Sequence, residues 1–159
     1  MVRIAMSGRI GDTRRLVGPV AGVQPVLATW GCSGREPPAP WDAMILVSFD
    51  IDGTLEVGDP AGPIQLDLVR RAKALGYIVG SASDRVRSDQ MSLWTTHALE
   101  MDFVGHKHKL DAVRERFTEA TRFIHIGDTD VDRHYAKVHG FEFYLPDELP
   151  PDGTDGWIF

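Results

Sequence analysis

Between Met44 and Tyr144 the apolar positions alternate between two rhythms. Residues 44–49 (MILVSF) form a short unbroken apolar run, as expected of a strand buried on both faces. A Gly/Pro-rich loop at 53–63 follows. A helical stripe then runs over about 65–75, where Leu66, Leu68, Val69, Ala72 and Leu75 share one face and Gly76 is the stop signal. The same reading predicts strands at 77–82, 102–105, 122–126 and 141–144, and helices near 87–98, 109–118 and 131–139. Strands alternating with helices over short connections imply a parallel sheet covered on both faces, an α/β three-layer, Rossmann-like domain. The end of the chain, PDELPPDGTDGWIF, is irregular, with Trp157 and Phe159 as candidates to pack back onto the domain. No internal repeat is visible.

Residues 1–43 behave differently. They are rich in Gly, Pro and Arg, show no sustained period, and end in the breaker GREPPAP at 34–40. Met44 stands directly on the strongest strand of the sequence, so two expectations compete: a disordered extension, or upstream sequence preceding a true start at Met44. The domain proper is then 44–159. Arg14 and Arg15 before a broken apolar stretch imitate a twin-arginine signal only loosely, because Pro19, Gln24 and Pro25 interrupt it.

Charge sharpens the division. Residues 1–43 carry five Lys/Arg against three Asp/Glu, and the remainder 12 against 20, within a net charge of −6. An acidic domain lacks the footprint of a general nucleic-acid binder. No apolar run of membrane-spanning length exists. Cys32 is the single cysteine, which excludes an internal disulfide and a Cys-rich zinc site and suits a cytoplasmic location.

The chemistry concentrates at strand ends. Strand 44–49 runs into Asp50-Ile51-Asp52-Gly53-Thr54, and residues two apart on a strand project to one side. Two carboxylates about 4 Å apart repel by about 4 kcal/mol at an effective dielectric near 20, so a cation belongs between them. Mg²⁺ is the expected one, a hard ion suited to carboxylate and phosphate oxygens. Strand 122–126 ends similarly in Gly127-Asp128-Thr129-Asp130-Val131-Asp132. Acids there also suit a helix N-terminus, so capping is the alternative reading for part of this cluster. An EF-hand fails, because Arg133 stands where its glycine should be and His139 where its glutamate should be. His106 and His108 lack further ligands at zinc spacing, and His125 reads as a buried, hydrogen-bonded strand residue. Trp94 reads as core before substrate contact.

Together, Asp50-x-Asp52-Gly-Thr54 and Gly127-Asp128-x-x-x-Asp132 resemble the haloacid dehalogenase superfamily of phosphohydrolases, over nearly all of residues 44–145. The resemblance implies Asp50 as nucleophile and Asp52 as general acid/base. It implies Mg²⁺ held by Asp50, Asp52 through its carbonyl, and Asp128, with Asp132 as ligand or support. Thr54, a serine ending the second strand and a lysine before a later helix would hold phosphate. The serine is Ser83, with Ser81 the alternative; Ser83-Asp84-Arg85 matches the family's Thr-Gly-Arg. The lysine is Lys107, with Lys109 the alternative. An acid at Asp52 favours phosphatases over the family's dehalogenases.

Many relatives insert a cap domain after the first strand or after the serine motif. Here those intervals hold one loop and one helix, then one helix and one strand, which leaves no room for a cap. The capless type implies a phosphorylated substrate, either a small molecule or a macromolecule, reached through an open site or one shielded in a homo-oligomer. The competing expectation is a non-catalytic or regulatory module that keeps the fold. A receiver-like phosphoacceptor ranks last, because receivers carry their aspartate on a later strand.

Overall fold

The computed structural model describes residues 44–149; the expectations for residues 1–43 and for Trp157 and Phe159 lie outside them. Five parallel strands, β1 (Ile45–Phe49), β2 (Ile78–Ala82), β3 (Phe103–Gly105), β4 (Arg122–Ile126) and β5 (Glu142–Tyr144), form one sheet in the order β3-β2-β1-β4-β5. The intervening helices are α1 (Leu66–Ala74), α2 (Arg87–Thr96), α3 (Leu110–Arg116) and α4 (Asp130–Val138). The α/β three-layer, Rossmann-like architecture therefore stands, and each strand-to-strand connection carries a single α-helix.

Strand alternation divides the core. Ile45, Val47 and Phe49 of β1, with Val79, Ile124 and Ile126, face Leu66, Val69 and Ala72 of α1 and Trp94 of α2. Leu46, Ile78, Ala82 and Phe123 face Leu110 and Val113 of α3 and Ala136 of α4 on the other side. All five residues of β1 are buried. Each large aliphatic or aromatic side chain so buried contributes about 1.5–3 kcal/mol relative to exposure, which is why the strand can tolerate a polar cluster at its end.

Several boundaries differ from the sequence reading by one or two residues, as helix and strand ends commonly do. The larger difference lies at 107–109. A helix from 109 was expected, but a 3₁₀ turn, Lys107–Lys109, precedes α3. The 53–63 loop is also more ordered than its composition suggests. Leu55 and Ile64 pair as an isolated bridge, and Gly53 N–H donates to the Pro60 carbonyl at 2.7 Å.

The chain leaves β1 for β2 and β3, then crosses back to β4 and β5 on the other side of β1. The order thus reverses between β1 and β4, and in open α/β sheets the crevice beyond the carboxyl ends at such a point receives ligands.

Candidate functional site

The acidic and basic groups at this crevice arrive beyond the carboxyl ends of four strands. Asp50 and Asp52 follow β1, Ser83 and Asp84 follow β2, Lys107 stands in the 3₁₀ turn after β3, and Asp128 and Thr129 follow β4. With Pro60 from the loop they line an open groove of about 210 Å³.

Asp50 is only 3 % exposed, and its Oδ1 makes no hydrogen bond. Its pKa is pushed up to about 6, first by burial and then by the nearby Asp132, against the opposing pull of Lys107, the Ile51 N–H and the Ser83 hydroxyl. Asp50, Asp128 and Asp132 each offer an oxygen, all within 4.8 Å of one another. A buried carboxylate oxygen without a hydrogen bond, in a group of three acids, fits a cation: this set can hold a metal ion, and its all-oxygen donors suit a hard one.

Two glycines make that convergence sterically feasible. Gly53 has φ +72°, and a Cβ there would meet Asp128 Oδ2 at 2.0 Å. A Cβ on Gly127 would come within 2.6 Å of the Asp132 side chain.

Lys107 is buried, with Nζ 2.7 Å from Asp132 Oδ1, 3.0 Å from Asp84 Oδ2 and 3.7 Å from Asp50 Oδ1. Burial alone would lower its pKa, but Asp132, Asp50 and Asp84 outweigh that and raise it, so the ammonium stays charged. Lys109 is exposed and lines a different depression, with Arg87 and Arg116.

Asp132 has several functions at once. Thr129 is the N-cap of α4, and Asp132 closes a capping box with it, so the capping alternative holds for this acid. The same carboxylate accepts from Lys107 and lies 3.4 Å from His125 Nε2, while His125 Nδ1 lies 3.1 Å from Ser48 Oγ. These donors hold the Asp132 carboxyl well below the usual carboxylate range despite its burial. The fully buried His125 is pushed down by desolvation, with Asp132 pulling the other way.

Of the two serines, Ser83 lines the groove, whereas Ser81 Oγ donates to Gln90 Oε1 at 2.8 Å and accepts from Trp94 Nε1 at 3.0 Å within the core. Trp94 is buried as a packing residue. Thr54 is fully buried, its Oγ1 has no hydrogen-bond partner, and it is not among the groove-lining residues.

Asp52 is engaged in a way its motif does not announce. Arg85 Nε contacts both carboxylate oxygens, at 3.1 and 2.9 Å, and Arg85 Nη2 makes a further short contact to Oδ1. The Asp59 N–H donates to Oδ1 at 2.7 Å. The hydrogen bonds from Arg85 lower the Asp52 pKa.

Compared with protein-family models, with curated proteins and with solved structures, the chain matches none. The site is therefore argued from its own geometry. Sequence reasoning gave no role to Arg85, to Asp84 or to the link from His125 to Asp132. The only available signal for the first two was their place directly after Ser83. His125 is buried and hydrogen-bonded within β4, as its place in RFIHI implied, but its partners were not legible there. Among the described residues, no helix is long and apolar enough to cross a membrane.

Proposed function

We propose that this chain is a Mg²⁺-dependent phosphohydrolase of the haloacid dehalogenase type, without a cap, that hydrolyses phosphate monoesters through Asp50. The observation that carries this reading is the buried Asp50, with its unbonded Oδ1, gathered with Lys107, Asp128 and Asp132 at the sheet's reversal point. Groups assembled merely to cap a helix would not require a second strand to deliver a buried aspartate to the same point.

Asp50, Asp128 and the Asp52 carbonyl would hold the ion, with Asp132 bordering it. When bound, Mg²⁺ neutralises charge on the transferring phosphoryl group. Asp50 attacks phosphorus, and the bond to the ester oxygen breaks as that oxygen takes a proton from Asp52. A water then attacks the acyl phosphate, giving its proton to Asp52, and Asp50 is released as the carboxylate with inorganic phosphate. Lys107 and the Ser83 hydroxyl orient the phosphoryl oxygens, since positioning and charge stabilisation dominate phosphoryl transfer. Their fixed placement supports that function: Lys107 is locked by three carboxylates, and Ser83 directly follows a core strand.

Hydrolysis of phenyl phosphate, assayed with Mg²⁺ and with EDTA beside the Asp50→Asn variant, tests the proposal. Metal-dependent turnover that Asp50→Asn abolishes is expected. Near-normal rates in that variant would remove Asp50 from its assigned role, and absence of turnover on every ester tried would favour a non-catalytic module.

A further inference from the structure

Arg85 lies where no role has yet been assigned to it, although it touches the proposed acid. Its backbone is anchored: Gln90, fully buried, donates from Nε2 to the Arg85 carbonyl at 2.8 Å and to the Gly105 carbonyl at 2.9 Å. Its amide lies 3.4 Å from Ser83 Oγ, so the residue hangs from the serine assigned to phosphate. The side chain, by contrast, is a quarter exposed, and among the described residues its guanidinium is hydrogen-bonded to one side chain, Asp52. A fixed backbone with a singly tethered, solvent-reachable head group allows the side chain to swing without moving the strand end.

The charges around it show what could draw it away. Asp50, Asp52, Asp84 and Asp128 line the groove with Asp132 behind them, and the cations among these neighbours are Lys107 and Arg85. Lys107 is shared by Asp132, Asp84 and Asp50, and two of these acids are buried with it. Arg85 has a single carboxylate to give up. Its planar fork matches a phosphate or a carboxylate with two parallel hydrogen bonds, which a point-charge ammonium cannot reproduce. The guanidinium engages both carboxylate oxygens of Asp52, the residue proposed as the acid.

We propose that Arg85 is a specificity-determining latch: it holds Asp52 in the resting site and exchanges onto a second anionic group of the substrate, a phosphate or carboxylate a few bonds from the scissile phosphate. This rests on the phosphohydrolase reading for its consequence, release of Asp52 towards the leaving oxygen, but the anion exchange can be measured without turnover.

The measurement is calorimetric titration of the Asp50→Asn protein, with Mg²⁺ present, using propyl phosphate, 1,3-propanediol bisphosphate and 4-phosphonooxybutanoate. Both second-anion ligands should bind about tenfold or more tightly than propyl phosphate, the scale of hydrogen bonds to a charged group. Whichever gains more identifies phosphate or carboxylate as the natural second anion. Adding Arg85→Gln should erase that preference, and Arg85→Lys should restore only part of it. Adding Asp52→Asn instead, which frees the guanidinium, should enlarge the preference; a purely structural ion pair would weaken binding in both variants. Equal binding of all three ligands, no binding at all, or a preference that survives Arg85→Gln would overturn the proposal. Parallel hydrolysis of the same ligands by the protein with Asp50 intact separates the two ideas: a collapsing preference without turnover would remove the phosphohydrolase reading and leave the anion exchange standing.

Discussion

Asp50 bears a cost that its neighbours only partly relieve. Its ordinary pKa of 3.8 rises to about 6 in the fold, so the folded chain binds a proton more readily than the unfolded chain between those values. The sign follows directly: Asp50 favours folding most at low pH, and that contribution is lost as pH rises from about 4 to above 6. At neutral pH, without metal, an ionised Asp50 therefore lowers stability by an amount on the order of 3 kcal/mol. Thermal unfolding in EDTA should show Asp50→Asn melting above the parent protein at pH 8, with the gap narrowing below pH 5. A variant that melts lower at pH 8 would contradict this. If the proposed Mg²⁺ site holds, adding the ion should reverse the order by stabilising the parent, because only an intact Asp50 offers it a full charge.

His125 shows how pairing between elements places a residue that its own strand cannot explain. The parallel register sets Ser48 of β1 opposite His125 of β4, and the imidazole spans from Ser48 Oγ to the carboxylate at the start of α4. Through Asp132 it holds Lys107, so it is a positioning residue. His125→Leu should destabilise the domain by about 1–3 kcal/mol, the cost of leaving buried polar partners unsatisfied, and, if the proposed phosphohydrolase activity holds, should lower kcat more than it raises KM. A large rise in KM with unchanged kcat would argue against it. This is also where legibility in the sequence stops. The unbroken run ILVSF and the alternation of strands and helices made β1 and the sheet readable, and acids at strand ends marked the crevice. The 3₁₀ turn carrying Lys107 was not readable, because three residues show no period. Nor was the Arg85–Asp52 pair, whose members lie 33 residues apart and meet only once β1 and β2 are side by side. Ser81 and Ser83 share a strand face in the pattern, yet the strand ends between them, so one hydroxyl enters the core and the other the groove.

At the scale of the molecule the site is an open groove between single-helix connections, and no described segment arches over it. Nothing in that geometry penalises a large leaving group. If the phosphohydrolase reading holds, kcat/KM for a phosphotyrosyl peptide should be no lower than for phenyl phosphate, and a steep loss on the peptide would point to a shield outside residues 44–149. Specificity must then come from the groove's own charges, Asp84 among them, and from Arg85, which contacts Asp52 at the groove.

The sheet order described above also governs how the protein comes into being. β1 is hydrogen-bonded on one side to β4, a partner about 77 residues further along the chain. Closing so long a loop is entropically costly and slow compared with local pairing. During synthesis β1 and β2 can meet early, but the backbone groups along one edge of β1, a strand apolar on both faces, wait for β4 to emerge. An unpaired apolar strand edge is a template for association with other chains. A chain cut after α3 is therefore above all an aggregation hazard, lacking at once the strand that covers β1 and the Asp128/Asp132 pair of the acidic cluster.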